Sequence, residues 1–145
     1  MNDIVTTNLQ ATLAAAAVGA LATPPLATLV FGLYQNQVAL TPGTVLTDLL
    51  DATFDGYSKV TVTGWNAPYE NLQGDIVVSP SVLPAFHCTG TVSVNTCYGY
   101  YGYRPDTTIL QIAGQFETAI SPTPGQRFSV VPEVAPKGTV DSTVI

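Results

Sequence analysis

Few side chains in this chain are suited to chemistry. One histidine, His87, stands beside Cys88, and the second cysteine, Cys97, follows after eight intervening residues. A base of this kind works only when a nucleophile and an orienting acid converge on it, and no G-x-S-x-G or comparable arrangement marks a serine for His87. An imidazole with a structural role near a strand end is the simpler reading. His87, Cys88 and Cys97 together supply three metal ligands, but a closed zinc site takes four and the chain has no second His and no CxxC. Asp48, Asp51 and Asp55 lack the dense D-x-D-x-D-G order of a calcium loop, so capping and solvated roles are expected of them. No glycine-rich cradle for phosphate follows a strand and opens a helix. The expectation is a protein with no catalytic residue, no metal and no cofactor; a small hydrolase would need acids or a base gathered in a cleft around His87.

The same stretch contains most of the tyrosines. Phe86 to Tyr103, FHCTGTVSVNTCYGYYGY, reads as a hairpin with Cys88 and Cys97 on its two arms and Gly90 and Asn95 available for the turn. Across such a hairpin the cysteines either form a disulfide, worth about 2–3 kcal/mol if unstrained, or remain reduced as small buried hydrophobes. In the second arm Tyr98 and Tyr100 are expected on one face and Tyr101 and Tyr103 on the other, with Gly99 and Gly102 leaving room beside the rings.

The elements that hold these residues are strands. Leu26 to Asn36 is the most apolar stretch: Leu29, Phe31 and Leu33 lie on one face, Val30 and Tyr34 on the other, and neither face is polar. That predicts a central strand whose second cover is the N-terminal segment or another copy of the chain. A long connection follows from Leu40, broken by Pro42–Gly43, in which Leu46, Leu49, Leu50, Phe54 and Tyr57 are expected to pin irregular backbone to the body. Lys59, Thr61 and Thr63 alternate with Val60 and Val62 as a half-buried strand closed by Trp65. Prolines at 68, 80 and 84 cut the next region into short edge-like pieces. Further on, Leu110, Ile112 and Phe116 are expected inward and Gln111, Gln115 and Glu117 outward, while Phe128, Val130, Pro132 and Val134 oppose Arg127, Ser129, Val131 and Glu133.

Residues 1–25 are expected to form a short helix or arm, with Leu9 and Leu13 on a weak apolar stripe, and residues 137–145 a tail with no usable pattern. Residues 26–136 then make one all-β domain of roughly six to eight antiparallel strands, a β-sandwich of jelly-roll or immunoglobulin-like type. Pro24 and Pro25 stop the alanine-rich run well short of a membrane span, and Asp3 stands where a signal peptide would be cationic.

Composition narrows the function further. Charged residues are only 10% of the chain, and 20 threonines supply much of the surface polarity. With net charge -6 and four scattered cations, Lys59, Arg104, Arg127 and Lys137, there is no cluster to neutralise a nucleic-acid backbone. Low charge and many aromatics are instead the composition of surfaces buried against other subunits, where Phe31, Trp65, Tyr98, Tyr100, Tyr101 and Tyr103, with Leu9 and Leu13, are candidate contacts.

The order of features LVFGLYQNQVALTPGTVLTDLLDATFDGYSKVTVTGW, then CYGYYGY, then TILQIAGQFETAISPTPGQRFSVVP resembles a group of small bacteriophage virion proteins. These share an apolar strand, a Thr-Pro turn, a Leu-Thr-Asp-Leu-like turn, Ala-x-Phe-x-Gly-Tyr and a second strand, and the likeness covers about two thirds of the chain. It implies a structural component of a phage particle, such as a capsid decoration (cement) protein or another minor head or tail component. Its partners would be itself, plausibly as a trimer, and the major capsid protein or other virion proteins. A carbohydrate-binding tail-fibre or adhesin-like module, presenting Trp65, Tyr101 and Tyr103 as stacking faces, is the alternative.

Overall fold

The computed structural model describes residues 3–5, 28–70, 72, 74, 76–91, 95–134 and 140–144. They form an all-β structure of antiparallel strands in three sheets. The first has five strands in the order β1 (Asp3–Val5), β8 (Leu110–Ile120), β7 (Cys97–Tyr103), β2 (Leu29–Tyr34) and β3 (Val60–Val62). The second has three, β10 (Val140–Val144), β9 (Arg127–Val134) and β6 (Ala85–His87); the third pairs β4 (Tyr69–Glu70) with β5 (Ile76–Val77).

The position of β2 follows from its sequence. Leu29, Phe31 and Leu33 enter a core cluster with Tyr100, Ile112 and Phe116 of the same sheet and Phe86, Phe128 and Val130 of the second. Tyr34 faces the opposite way, into a cluster with Tyr101, Leu110, Ala113 and Leu49. The cover on that side is the chain's own connection, since Val38, Leu40, Leu46 and Leu49 pack there. Among the described residues this side is covered by the connection, where the sequence expectation named the N-terminal segment or another copy. The N-terminal helix and its Leu9 and Leu13 lie outside the described residues, but the extended residues of β1 pair with Ile112–Gly114 at the sheet edge.

Strand β7 fits beside β2 because rings meet glycines. Tyr34 is opposite Gly99, Phe31 opposite Gly102 and Tyr101 opposite Gly32. A Cβ on Gly99 would collide with the Gly114 carbonyl and come within 2.5 Å of the Tyr34 hydroxyl oxygen. On Gly102 it would meet Phe31 Cε1 at 3.0 Å, a ring edge with some freedom to shift.

This pairing also explains why the expected hairpin does not form. β7 is taken up by β2 and β8, while β6 pairs with β9, placing Phe86 opposite Phe128. Cys88 and Cys97 therefore do not face one another across a turn. A register shift between Cys97 and Gly99 reverses the alternation, so Tyr98 joins Tyr101 and Tyr103 instead of Tyr100. A second shift, between Gly102 and Tyr103, leaves Gln111 as an extra residue in β8. As a result Leu110 and Ile112 enter different clusters, and Gln111, expected outward, is 2% exposed. The tail pattern was too weak to read: residues 140–144 are β10, paired along β9.

Gly99→Ala should lower stability by about 3 kcal/mol or prevent folding, because the obstructing atom is backbone, whereas Gly102→Ala should cost about 1 kcal/mol. Urea midpoints of the two variants measure the difference.

Candidate functional site

The densest polar arrangement among the described residues is built over Gly32. β3 pairs with β2 only as far as Phe31 opposite Val60. Beyond it the backbone of residues 50–52 takes over, with Ala52 N–H donating to Leu33 O at 2.9 Å and Gln35 N–H to Leu50 O at 2.8 Å. The tyrosine of Ala-x-Phe-x-Gly-Tyr fills the gap: Leu33 N–H donates to the Tyr57 hydroxyl at 3.0 Å. Tyr57 reaches there because its ring stacks on Phe86 and meets Phe54 edge-on, and because Gly56 turns the chain at φ 86°.

Asp51 receives the phenols. Its Oδ1 accepts from Tyr57 at 2.6 Å and from Tyr101 at 2.7 Å. A Cβ on Gly32 would overlap both hydroxyls, so the bare backbone there is what lets them converge. Lys59 Nζ lies 3.7 Å from Asp51 Oδ2 and 5.5 Å from the centre of the Tyr103 ring, which stacks on Tyr101. Both charged side chains are about two-fifths exposed, so this ion pair contributes little, about 0–1 kcal/mol. Burial first, then the Asp51 carboxylate, raises both phenols well above their ordinary 10.0. They remain protonated donors near neutral pH, which suits them to holding a carboxylate and not to acting as bases.

Asp51 thus ties loop to sheet, a role beyond the capping expected of it. Asp48 does cap, with its Oδ2 accepting from Val45 N–H at 3.0 Å across the short 3-10 turn Leu46–Asp48. Of the expected loop anchors, Leu49 and Phe54 are buried and Leu46 and Tyr57 pack against the clusters. Leu50 is 57% exposed and is not an apolar anchor; its backbone does the pinning, through Gln35 and through Asn36 Oδ1, which accepts from Leu50 N–H at 2.8 Å.

The expected contact residues divide differently. Phe31, Tyr100 and Tyr101 are buried within the chain itself and offer no surface to a partner, Phe31 and Tyr101 facing glycines across β2 and β7 and Tyr100 facing Gly114 across β7 and β8. Trp65, Tyr98 and Tyr103 are half-buried. Trp65 packs on Phe31 and bridges to Pro80, with its indole N–H buried and unpaired among the described residues. Cys88 and Cys97 are free thiols, both buried in the main core cluster. Cys88 Sγ donates to Gly90 O at 3.3 Å, and burial, followed by the Asp51 charge, pushes the Cys97 thiol up to about 12. His87 is half-buried on β6, opposite Arg127 on β9. Among the described residues no group of three or more His, Cys, Asp or Glu side chains is placed to hold a metal ion.

No protein family, curated protein or solved structure matches the chain.

Sequence reasoning singled out Asp51, Tyr57, Lys59 and Tyr101, but neither Gly32 nor their association. The aromatic–Gly–aromatic spacing of β7 and the lone Gly32 in an apolar strand were the available signals.

Asp51→Ala should cost about 2–4 kcal/mol, since two hydrogen bonds to a charged acceptor are lost, and Asp51→Asn less; chemical denaturation measures both. Above the ordinary thiol and phenol values of 9.0 and 10.0, the unfolded chain loses protons that Cys97, Tyr57 and Tyr101 retain when folded, so stability should fall as pH rises through that range. The fall should be shallower in Tyr101→Phe, read from urea midpoints between about pH 8 and 11. A thiol reagent should label neither cysteine in the native protein and both after denaturation; a bridged pair would label in neither state without reductant.

Proposed function

We propose that this chain is a non-enzymatic structural protein of a bacteriophage particle, a capsid decoration (cement) protein that stabilises the head through contacts with its own copies and with the major capsid protein. The five- and three-stranded sheets that share one apolar cluster are read as the two layers of a sandwich of jelly-roll or immunoglobulin-like type.

The observation that carries this reading is the order of features from Leu29 to Trp65 and its continuation in β7 to β9, which resembles phage virion proteins. The residues of that order have a common physical use. The apolar strand, the Leu-Thr-Asp-Leu turn and the Ala-x-Phe-x-Gly-Tyr segment form one pinned unit over the sheet. A rigid body of this kind suits a protein whose task is to hold a fixed surface against a lattice.

With Phe31, Tyr100 and Tyr101 turned inward, the contact surface is assigned to the large apolar side chains left outside. These are Val45, Leu50, Tyr69, Leu72, Val82 and Ile109, from 36% to 102% exposed. The acidic balance suits the outer side of a shell, away from packaged nucleic acid.

Purified protein mixed with particles that lack it should co-sediment with them to a saturating stoichiometry and raise their thermal stability. A chain that stays monomeric and remains in the supernatant would overturn the proposal, and a reproducible preference on a glycan array would favour the carbohydrate-binding alternative.

A further inference from the structure

Among the described cations, Lys59 sits beside Asp51 and Arg104 beside Asp106, at 3.7 and 3.0 Å. Arg127 has no such carboxylate among the described residues, although acids outnumber lysines and arginines ten to four in the chain. It stands directly opposite His87 in the pairing of β6 with β9, with Ser129 opposite Ala85 one step further along the same face. Directly opposed residues of an antiparallel pair project to the same side, with Cβ atoms about 5 Å apart. Phe86 and Phe128 fill the core side. An open groove of about 320 Å³ runs between the two strands, lined by Arg127, His87, Ser129 and Ala85 together with Phe86 and Phe128.

The donors in this groove are of one kind. The guanidinium offers two parallel N–H groups at the spacing of a carboxylate, and a ring N–H and a hydroxyl stand next to it. The small side chain of Ala85 leaves the approach clear. A small free acid would keep most of its surface in water in so open a groove. An acid carried on a larger body adds contacts from beyond it, and Val82, three residues before β6, is 76% exposed on the same stretch of chain.

We propose that Arg127, His87 and Ser129 form a receiving notch for the carboxylate of an aspartate or glutamate on a protein neighbour. This assignment holds whether or not the chain belongs to a virus particle.

The test is an NMR titration of the full chain with a hexaglutamate peptide and, separately, with glucuronate, following the His87 ring protons. The peptide should move the His87 signals saturably, less tightly as salt is added, and Arg127→Gln should weaken binding roughly tenfold or more. Arg127→Lys, which keeps the charge and the stem, should fall between the two, and unchanged dispersion of the remaining signals verifies that both variants are folded. Absence of saturable movement at millimolar peptide, equal affinity in Arg127→Gln, or tighter saturation by glucuronate than by peptide would each overturn the proposal.

Discussion

The constraint on which the rest of the structure depends is the absence of a side chain at Gly32. It lets two phenols from different parts of the chain, Tyr57 in the long connection and Tyr101 in β7, reach the same carboxylate oxygen of Asp51. A carboxylate near a protein interior is costly unless its lone pairs are occupied, and here two short charge-assisted bonds occupy one oxygen. The Tyr57 hydroxyl has a second function, accepting the Leu33 N–H that neither β3 nor the 50–52 segment reaches. One polar knot thus completes a sheet ladder and fastens the loop that covers that sheet.

That fastening matters because of what lies beneath the loop. The side of the five-stranded sheet bearing Tyr34 and Tyr101 carries its own apolar cluster, and an apolar sheet face left in water is a template for association. Val38, Leu40, Leu46 and Leu49 cover it, but four aliphatic side chains on irregular backbone bury too little area to order so long a segment alone. Hydrogen bonds at Asn36, Gln35 and Asp51 hold the segment in register, and the aliphatic contacts then exclude water. Specific polar ties and non-directional burial have distinct tasks, and the loop needs both.

Much of the secondary structure was legible because burial and pattern coincide. β2, β3 and β9 alternate or run apolar as their sequences indicate, and Phe128, Val130 and Pro132 lie inward together. What was not legible was pairing. Nothing local in Phe86–Tyr103 says that β7 prefers β2 to the segment preceding it; that choice comes from the match of Tyr34, Phe31 and Tyr101 to glycines on the opposite strand, a relation between positions some 70 residues apart. The two register shifts in the β7–β8 ladder defeated simple alternation at Tyr98 and Gln111 for the same reason, since an extra residue is visible only against a partner. The Asp51 site was hidden in the same way: its residues were each conspicuous, but only the fold brings 51, 57 and 101 to one point.

Turning the rings inward changes how the proposed assembly role would work. Aromatic anchors in a central pocket are the usual source of affinity in a tight interface, and here three of the expected anchors, Phe31, Tyr100 and Tyr101, are already used in folding the chain. The exposed large apolar residues that remain are aliphatic apart from Tyr69, with Val45, Leu72 and Val82 among them, and lie on separate segments. Each such contact contributes modestly, so in the proposed assembly affinity for a neighbour would come from several at once. A lattice supplies that condition: a rigid body held at a symmetric position meets many copies simultaneously, and weak contacts combine through effective concentration without any of them being strong.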